Sequence, residues 1–175
     1  MIQGAGKKQV QLRAPTDADG ARMWQLACET EVLDENSTYA YLMFARFFKE
    51  TCIVAETGKQ VVGFITGFCR PDRDDTLFIW QIGVSARHRG KGIAKSMIAE
   101  LLRRCRKKNI RFLEATVSPS NEASRMLFLG VSREYDTRCT IQPCFSADLF
   151  PGGAHESEWT YRIGPIFAHS EGGQA

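Results

Sequence analysis

Gln81-Ile82-Gly83-Val84-Ser85-Ala86-Arg87-His88-Arg89-Gly90-Lys91-Gly92-Ile93-Ala94 is the stretch on which the fold turns. The residues leading into it, from Thr76 to Val84, are nearly continuous in apolar side chains, which predicts a strand buried on both faces. Beyond it, Ile93, Met97, Ile98, Leu101, Leu102 and Cys105 recur at helical spacing, with Lys95, Arg103, Arg104 and Lys107 mostly outside that stripe. A strand thus feeds a short loop with two glycines, and the loop opens a helix. Glycines let the backbone curl with several N–H groups facing inward. The helix start adds unpaired donors and a partial positive charge. Arg87, Arg89 and Lys91 add full charges, so the loop predicts a cradle for a diphosphate.

Working outward, Arg111 to Val117 reads as a second strand, and strand-helix-strand predicts a parallel pair near residues 80 and 114. Asn121 to Leu129 reads as a short helix closed by Gly130, and Arg138 to Phe145 and Glu158 to Ile163 as late strands. Upstream, Cys52 to Glu56 and Gln60 to Phe68 flank a Gly58-Lys59 turn, and Arg70 to Asp75 reads as a charged loop. With Thr76 to Val84 these strands predict an antiparallel meander. A helix starts after Thr16, whose partner Asp19 stands three residues on as in a capping box, and it ends before the polar segment at Leu33. A second helix, Thr38 to Phe48, is dense in aromatics. Residues 1–10 and 166–175 read as flexible ends around one domain spanning 11–165.

The chain has 175 residues, 43% hydrophobic and 25% charged, a globular composition that excludes a disordered or low-complexity protein. No apolar run reaches the ~20 residues that span a bilayer. The formal net charge of +3 is too small for a dedicated nucleic-acid binder, and the basic run Arg103 to Lys108 reads as the solvated end of a helix. The six cysteines are scattered without a C-x-x-C pair, which points to free thiols in a reducing cytoplasm and to no metal site.

The glycine loop is neither of the common phosphate binders. A P-loop requires a hydroxyl after its lysine, and Gly92 follows Lys91; the Gly-x-Gly-x-x-Gly spacing of a dinucleotide fold is absent too. What stands here is Arg-x-x-Gly-x-Gly, Arg87 to Gly92. With the strand before it and the helix after it, the chain resembles the GCN5-related N-acetyltransferase family from about Gln11 to Ile163. That resemblance implies an α/β (α+β) fold with a mixed, mostly antiparallel central sheet, a splayed parallel strand pair and flanking helices. It implies acetyl-CoA as cosubstrate. Ile82, Gly83 and Val84 would then lie along the pantetheine. Arg87, Arg89, Gly90, Lys91, Gly92, Ile93 and Ala94 would hold the diphosphate, Asn121 would touch the pantetheine, and Ser124 would join the cofactor site. One residue departs from the pattern: where the family often carries a tyrosine to protonate the leaving thiolate, this chain has Phe128, which has no proton to donate. Another group then does this work, or the thiolate, with an ordinary pKa near ~8.5, leaves unassisted.

Leu33 to Leu42, Asp75 to Gln81 and His155 to Glu158 resemble the branch of the family that acetylates the γ-amine of L-2,4-diaminobutyrate on the way to ectoine, in response to osmotic stress. The resemblance implies a cytoplasmic homodimer and a diamine site of Asp34, Asn36, Tyr39, Thr76, Trp80 and Glu158. The physical reading is compatible. Two ammonium groups call for carboxylates, and Asp34, Glu35, Glu156 and Glu158 supply candidates, with Trp80 and Tyr39 as aromatic faces. An alkylammonium of pKa about 10.4 is neutral in roughly one molecule per few thousand at pH 7, so a base must take its proton, a barrier of ~4–5 kcal/mol. Glu158, Asp34 and His155 are the candidate bases. Another diamine, a polyamine or a protein amine remains the alternative acceptor.

Overall fold

A computed structural model describes residues 9–30, 33–34, 36–153 and 155–166. Its elements, in chain order, are β1 (Gln11–Arg13), α1 (Asp19–Thr30), α2 (Thr38–Phe47), β2 (Ile53–Thr57), β3 (Gln60–Arg70), β4 (Arg73–Val84), α3 (Ile93–Cys105), β5 (Phe112–Val117), α4 (Glu122–Glu134), β6 (Cys139–Phe145) and β7 (Glu158–Ile163). The strands form one seven-stranded sheet in the order β1-β2-β3-β4-β5-β7-β6. The β4–β5 pair is parallel, as the strand-helix-strand pattern predicts, and β1–β2, β2–β3, β5–β7 and β6–β7 are antiparallel. No helix among the described residues is long and apolar enough to cross a membrane.

The chain forms two compact units. One comprises the residues up to Gly67 together with Gln81–Arg104; the other comprises Phe68–Trp80 and the chain from Cys105 on. In the first, Met23, Leu26, Ala27, Tyr41, Val54, Val61 and Phe64 form a buried cluster. Helix α1 starts as its sequence predicts, with one change in detail. The Asp19 carboxylate accepts the Thr16 N–H at 2.7 Å, but the Thr16 hydroxyl donates to the same carboxylate at 2.8 Å rather than capping a helix N–H. Arg13 closes the pair from β1 at 2.7 Å. Burial works against the Asp19 charge, yet these bonds outweigh it and hold the carboxyl at about 2. The Gly58-Lys59 turn has positive φ at both residues, 53° and 74°, the conformation of a two-residue hairpin.

Three expectations change. Residues 70–75 are no open loop: β3 runs to Arg70 and β4 begins at Arg73, leaving a two-residue turn. Charged side chains are kept in these strands because Arg70 pairs with Asp72 and Glu114. Strand β4 is not buried on both faces. From Leu77 on, it alternates between buried residues (77, 79, 81, 83) and half-open ones (78, 80, 82, 84), so one face retains access to solvent. Helix α4 does not stop at Gly130 but continues to Glu134, carried by the buried Phe128, Val131 and Ser132.

Candidate active site

Within the first unit, β4 ends at Val84 and the Arg-x-x-Gly-x-Gly segment bends into α3. Gly90 and Gly92 have φ of 72° and 76°, and a Cβ at either would meet nothing within 4 Å. Their role is therefore conformational: the left-handed region is open to glycine and costly to other residues. Ile93 is buried and anchors the helix start, and Ala94 is half-buried. Gly83 has a different reason. A Cβ there would stand 2.8 Å from the Phe64 ring, so the strand is pressed onto the core at that point.

The basic side chains of the loop are used partly to build it. Arg89 donates to the carbonyls of Val84 at 3.2 Å and Thr30 at 3.3 Å, and Lys91 Nζ donates to the Arg87 carbonyl at 2.8 Å. His88 is fixed by the Ser85 hydroxyl at 2.7 Å. Lys91 and His88 also line a groove of about 700 Å³ with Val10, Leu12, Thr57, Ile93 and Ser96. Arg87 is exposed, and Ile82 and Val84 are half-open on the accessible face of β4. Asp34 and Asn36 lie in the same unit, where Asn36 Nδ2 donates to the Asp34 carbonyl at 3.0 Å. Tyr39 is 67% exposed at the start of α2. Glu35 lies outside the described residues.

In the second unit, the parallel ladder runs from Thr76↔Phe112 to Ile79↔Ala115 and stops there, although both strands continue. Backbone groups past that point are not spent on the ladder. The Asn121 side chain caps α4 by accepting the Ser124 N–H at 3.0 Å, which commits its oxygen and leaves its NH2 as donor. Phe128 is buried, with its ring centroid 6.5 Å from that of Tyr161 on β7. His155 and Glu158 come together, with Nε2 4.0 Å from Glu158 Oε1. His155 stacks on Phe150 at 3.8 Å, and its Nδ1 lies 2.7 Å from the Glu156 carbonyl. A carbonyl only accepts, so Nδ1 carries the hydrogen, and a neutral His155 presents its lone pair at Nε2, on the Glu158 side. The Glu156 carboxylate accepts the Ser120 N–H at 3.0 Å. Trp80 is half-buried; Thr76 is fully buried, donating to Asp75 at 2.8 Å and accepting from Arg162 at 3.1 Å.

One cluster has no counterpart in the sequence reading. Glu114, 1% exposed on β5, accepts from Arg70 at 2.6 Å and from Arg162, with Arg73 at 3.4 Å. Arg162 also lies 3.8 Å above the Phe112 ring. Burial opposes the Glu114 charge, but the Arg70 and Arg162 guanidinium groups outweigh it and hold the carboxyl below its ordinary value. A lone glutamate in the strand Phe-Leu-Glu-Ala-Thr-Val is the local signal for such a hub; its partners, Arg70 and Arg73 at one turn and Arg162 on β7, are all distant from it in the chain.

A glycine-turned loop opening a helix, on a strand whose parallel ladder breaks off, leaves backbone donors available to an anionic, extended ligand. The profile described as "Acetyltransferase (GNAT) family" matches residues 20–130, and the chain belongs to that family. It is 53% identical over 155 residues to an L-2,4-diaminobutyric acid acetyltransferase of Shouchella clausii, covering 89% of this chain and 86% of that protein. Its structure is similar to that of the diaminobutyrate acetyltransferase EctA from Paenibacillus lautus in complex with L-2,4-diaminobutyric acid and coenzyme A. The TM-score is 0.88 at 42% identity, over 93% of this chain and 98% of that one. The fold alone is shared with yncA, a putative acetyltransferase from Salmonella typhimurium with its cofactor acetyl-CoA, at 15% identity and a TM-score of 0.70 over 92% of this chain and 96% of that one.

Proposed function

We propose that the protein is an acetyl-CoA-dependent N-acetyltransferase that acetylates the γ-amine of L-2,4-diaminobutyrate. The observation that carries the substrate is the 42% identity, over 93% of the chain, to a protein whose structure holds both that diamine and coenzyme A. In this reading the Gly90–Gly92 loop and the start of α3 hold the diphosphate, and Ile82 to Val84 offer backbone bonds to the pantetheine. Asp34, Asn36, Tyr39 and Trp80 serve the acceptor, and Glu158 with His155 serves as base.

The chemistry follows from charge. The γ-ammonium gives one proton to the Glu158–His155 pair, directly or through a water. The freed lone pair attacks the thioester carbonyl carbon, and the oxygen that gains charge is met by the Ile82 N–H. The tetrahedral adduct collapses with cleavage of the C–S bond; the nitrogen loses its second proton, and the coenzyme thiolate takes one up. Transfer is direct, so no acyl-cysteine forms. The product, an amide on the γ-nitrogen with a free α-amine, suits a later cyclisation to ectoine, and in this reading the enzyme serves the response to osmotic stress.

Six free thiols, three of them half-buried, fit a reducing cytoplasm. Ile141 and Phe145 stand 43% and 49% exposed on the edge strand β6, a surface suited to a second copy of the chain. The test is acetyl transfer from acetyl-CoA to L-2,4-diaminobutyrate with the product mapped by NMR. Turnover confined to polyamines or protein amines overturns the substrate. Glu158→Gln and Asp34→Asn each lower the rate sharply at pH 7; an unchanged rate removes that residue from its role.

A further inference from the structure

The buried row of β4 is apolar except at one position. Gln81, 8% exposed, stands between Ile79 and Gly83. A buried amide needs partners at both ends. Its oxygen accepts from the Tyr41 hydroxyl at 2.7 Å, and its nitrogen donates to the Asp34 carbonyl at 3.1 Å. Tyr41 is packed into the core: it is 0% exposed, part of the buried cluster, and edge-on to Phe64 at 5.9 Å and 87°. One end of Gln81 is therefore tied to the core, and the other holds Asp34.

Asn36 adds to this tie. It donates to the same Asp34 carbonyl at 3.0 Å, and its own carbonyl accepts from Trp24 at 3.1 Å. An apolar side chain at 81 would fill the core equally well, but it would strip the Tyr41 hydroxyl and the Asp34 carbonyl of this partner.

We infer that Gln81 is a positioning residue for the acceptor: it fixes Asp34 relative to the strand that continues as Ile82 to Val84, without touching the reacting atoms. The inference rests on the reading of Asp34 as an acceptor contact. It makes acceptor affinity depend on a buried amide while leaving the donor loop untouched.

Steady-state kinetics on Gln81→Met, Tyr41→Phe, Asp34→Ala and the Gln81→Met/Asp34→Ala double variant test it. Gln81→Met raises KM for diaminobutyrate by about 10-fold and moves KM for acetyl-CoA by less than about 2-fold. Tyr41→Phe acts in the same direction with a smaller effect. In the Asp34→Ala background, Gln81→Met adds nothing further to the acceptor KM, because the backbone carbonyl is still held but the carboxylate it positions is gone. An undiminished effect in that background, or an equal rise in both KM values, overturns the inference while the role of Asp34 stands. An Asp34→Ala enzyme with unchanged acceptor KM ends the reading of Asp34, and the inference with it. Should Gln81→Met fail to fold, Tyr41→Phe, which deletes a single oxygen, carries the same cycle.

Discussion

Replacing Gly92 by alanine isolates backbone conformation from every other effect in the donor loop. A Cβ at Gly92 meets nothing within 4 Å, so no clash contributes, and φ is 76°, in the left-handed region. Alanine there costs roughly 1–2 kcal/mol. Where that cost is felt depends on what the loop does when empty. The residue is exposed, so a free loop can relax out of the left-handed region at little expense to the fold. The strain must then be supplied on binding, and affinity for acetyl-CoA falls by about 5–30-fold, at ~1.4 kcal/mol per factor of ten. The melting temperature stays within the ~2–4 °C that 1 kcal/mol would produce in a chain of this size. Asparagine tolerates the left-handed region better, so Gly92→Asn recovers part of the affinity. Gly130→Ala is the opposite control. It lies inside α4 with open space around its Cβ, and alanine gains roughly 0.8–1 kcal/mol of helix propensity, raising the melting temperature and leaving binding unchanged. Calorimetric titration with acetyl-CoA and thermal melts read both quantities. Wild-type affinity in Gly92→Ala would refute the view that this backbone geometry grips the diphosphate.

The buried Asp19, with its carboxyl at about 2 in the folded protein, contributes stability that is complete above the ordinary carboxyl range and disappears as pH falls toward 2. Asp19→Asn therefore lowers the urea midpoint at pH 7 by the equivalent of up to about 2 kcal/mol, and the difference from wild type shrinks toward zero near pH 2. Glu114→Gln leaves three arginines without their shared anion and costs about 3 kcal/mol in urea unfolding, whereas Asp72→Asn on the exposed turn has a much smaller effect; comparable losses would contradict the burial argument. Tyr161 carries the phenol that Phe128 lacks. If it protonates the thiolate, Tyr161→Phe lowers kcat about 10-fold while leaving affinity for coenzyme A intact. An unchanged kcat removes Tyr161 from that role.

Local signals carried a large part of this structure. The span of α2, the strand Glu158–Ile163, the Gly58-Lys59 turn, the parallel β4–β5 pair and the donor loop all follow from periodicity and turn chemistry within a few residues. Such features are legible because backbone dihedral preferences and apolar spacing act over one or two turns of chain. Where a residue's behaviour depends on distant partners, the local reading fails. Gly130 looked like a helix end, yet packing of Val131 and Ser132 carried α4 through it. The charged stretch 70–75 looked like a loop because Glu114, which holds Arg70 in its strand, lies 44 residues away.

What the sequence determined by itself was the strand, glycine turn and amphipathic helix in succession from residue 76 to 105, the features from which an anion cradle is expected. What only the tertiary structure decided was how side chains are spent. Arg89 and Lys91 brace the loop's own carbonyls, Thr76 serves Asp75 and Arg162, and Gln81, the polar residue in the buried row from Leu77 to Gly83, ties Tyr41 to Asp34 across 40 and 47 residues of chain. Hydrogen-bond partners are set by proximity in space, and that exists only once the chain has closed on itself.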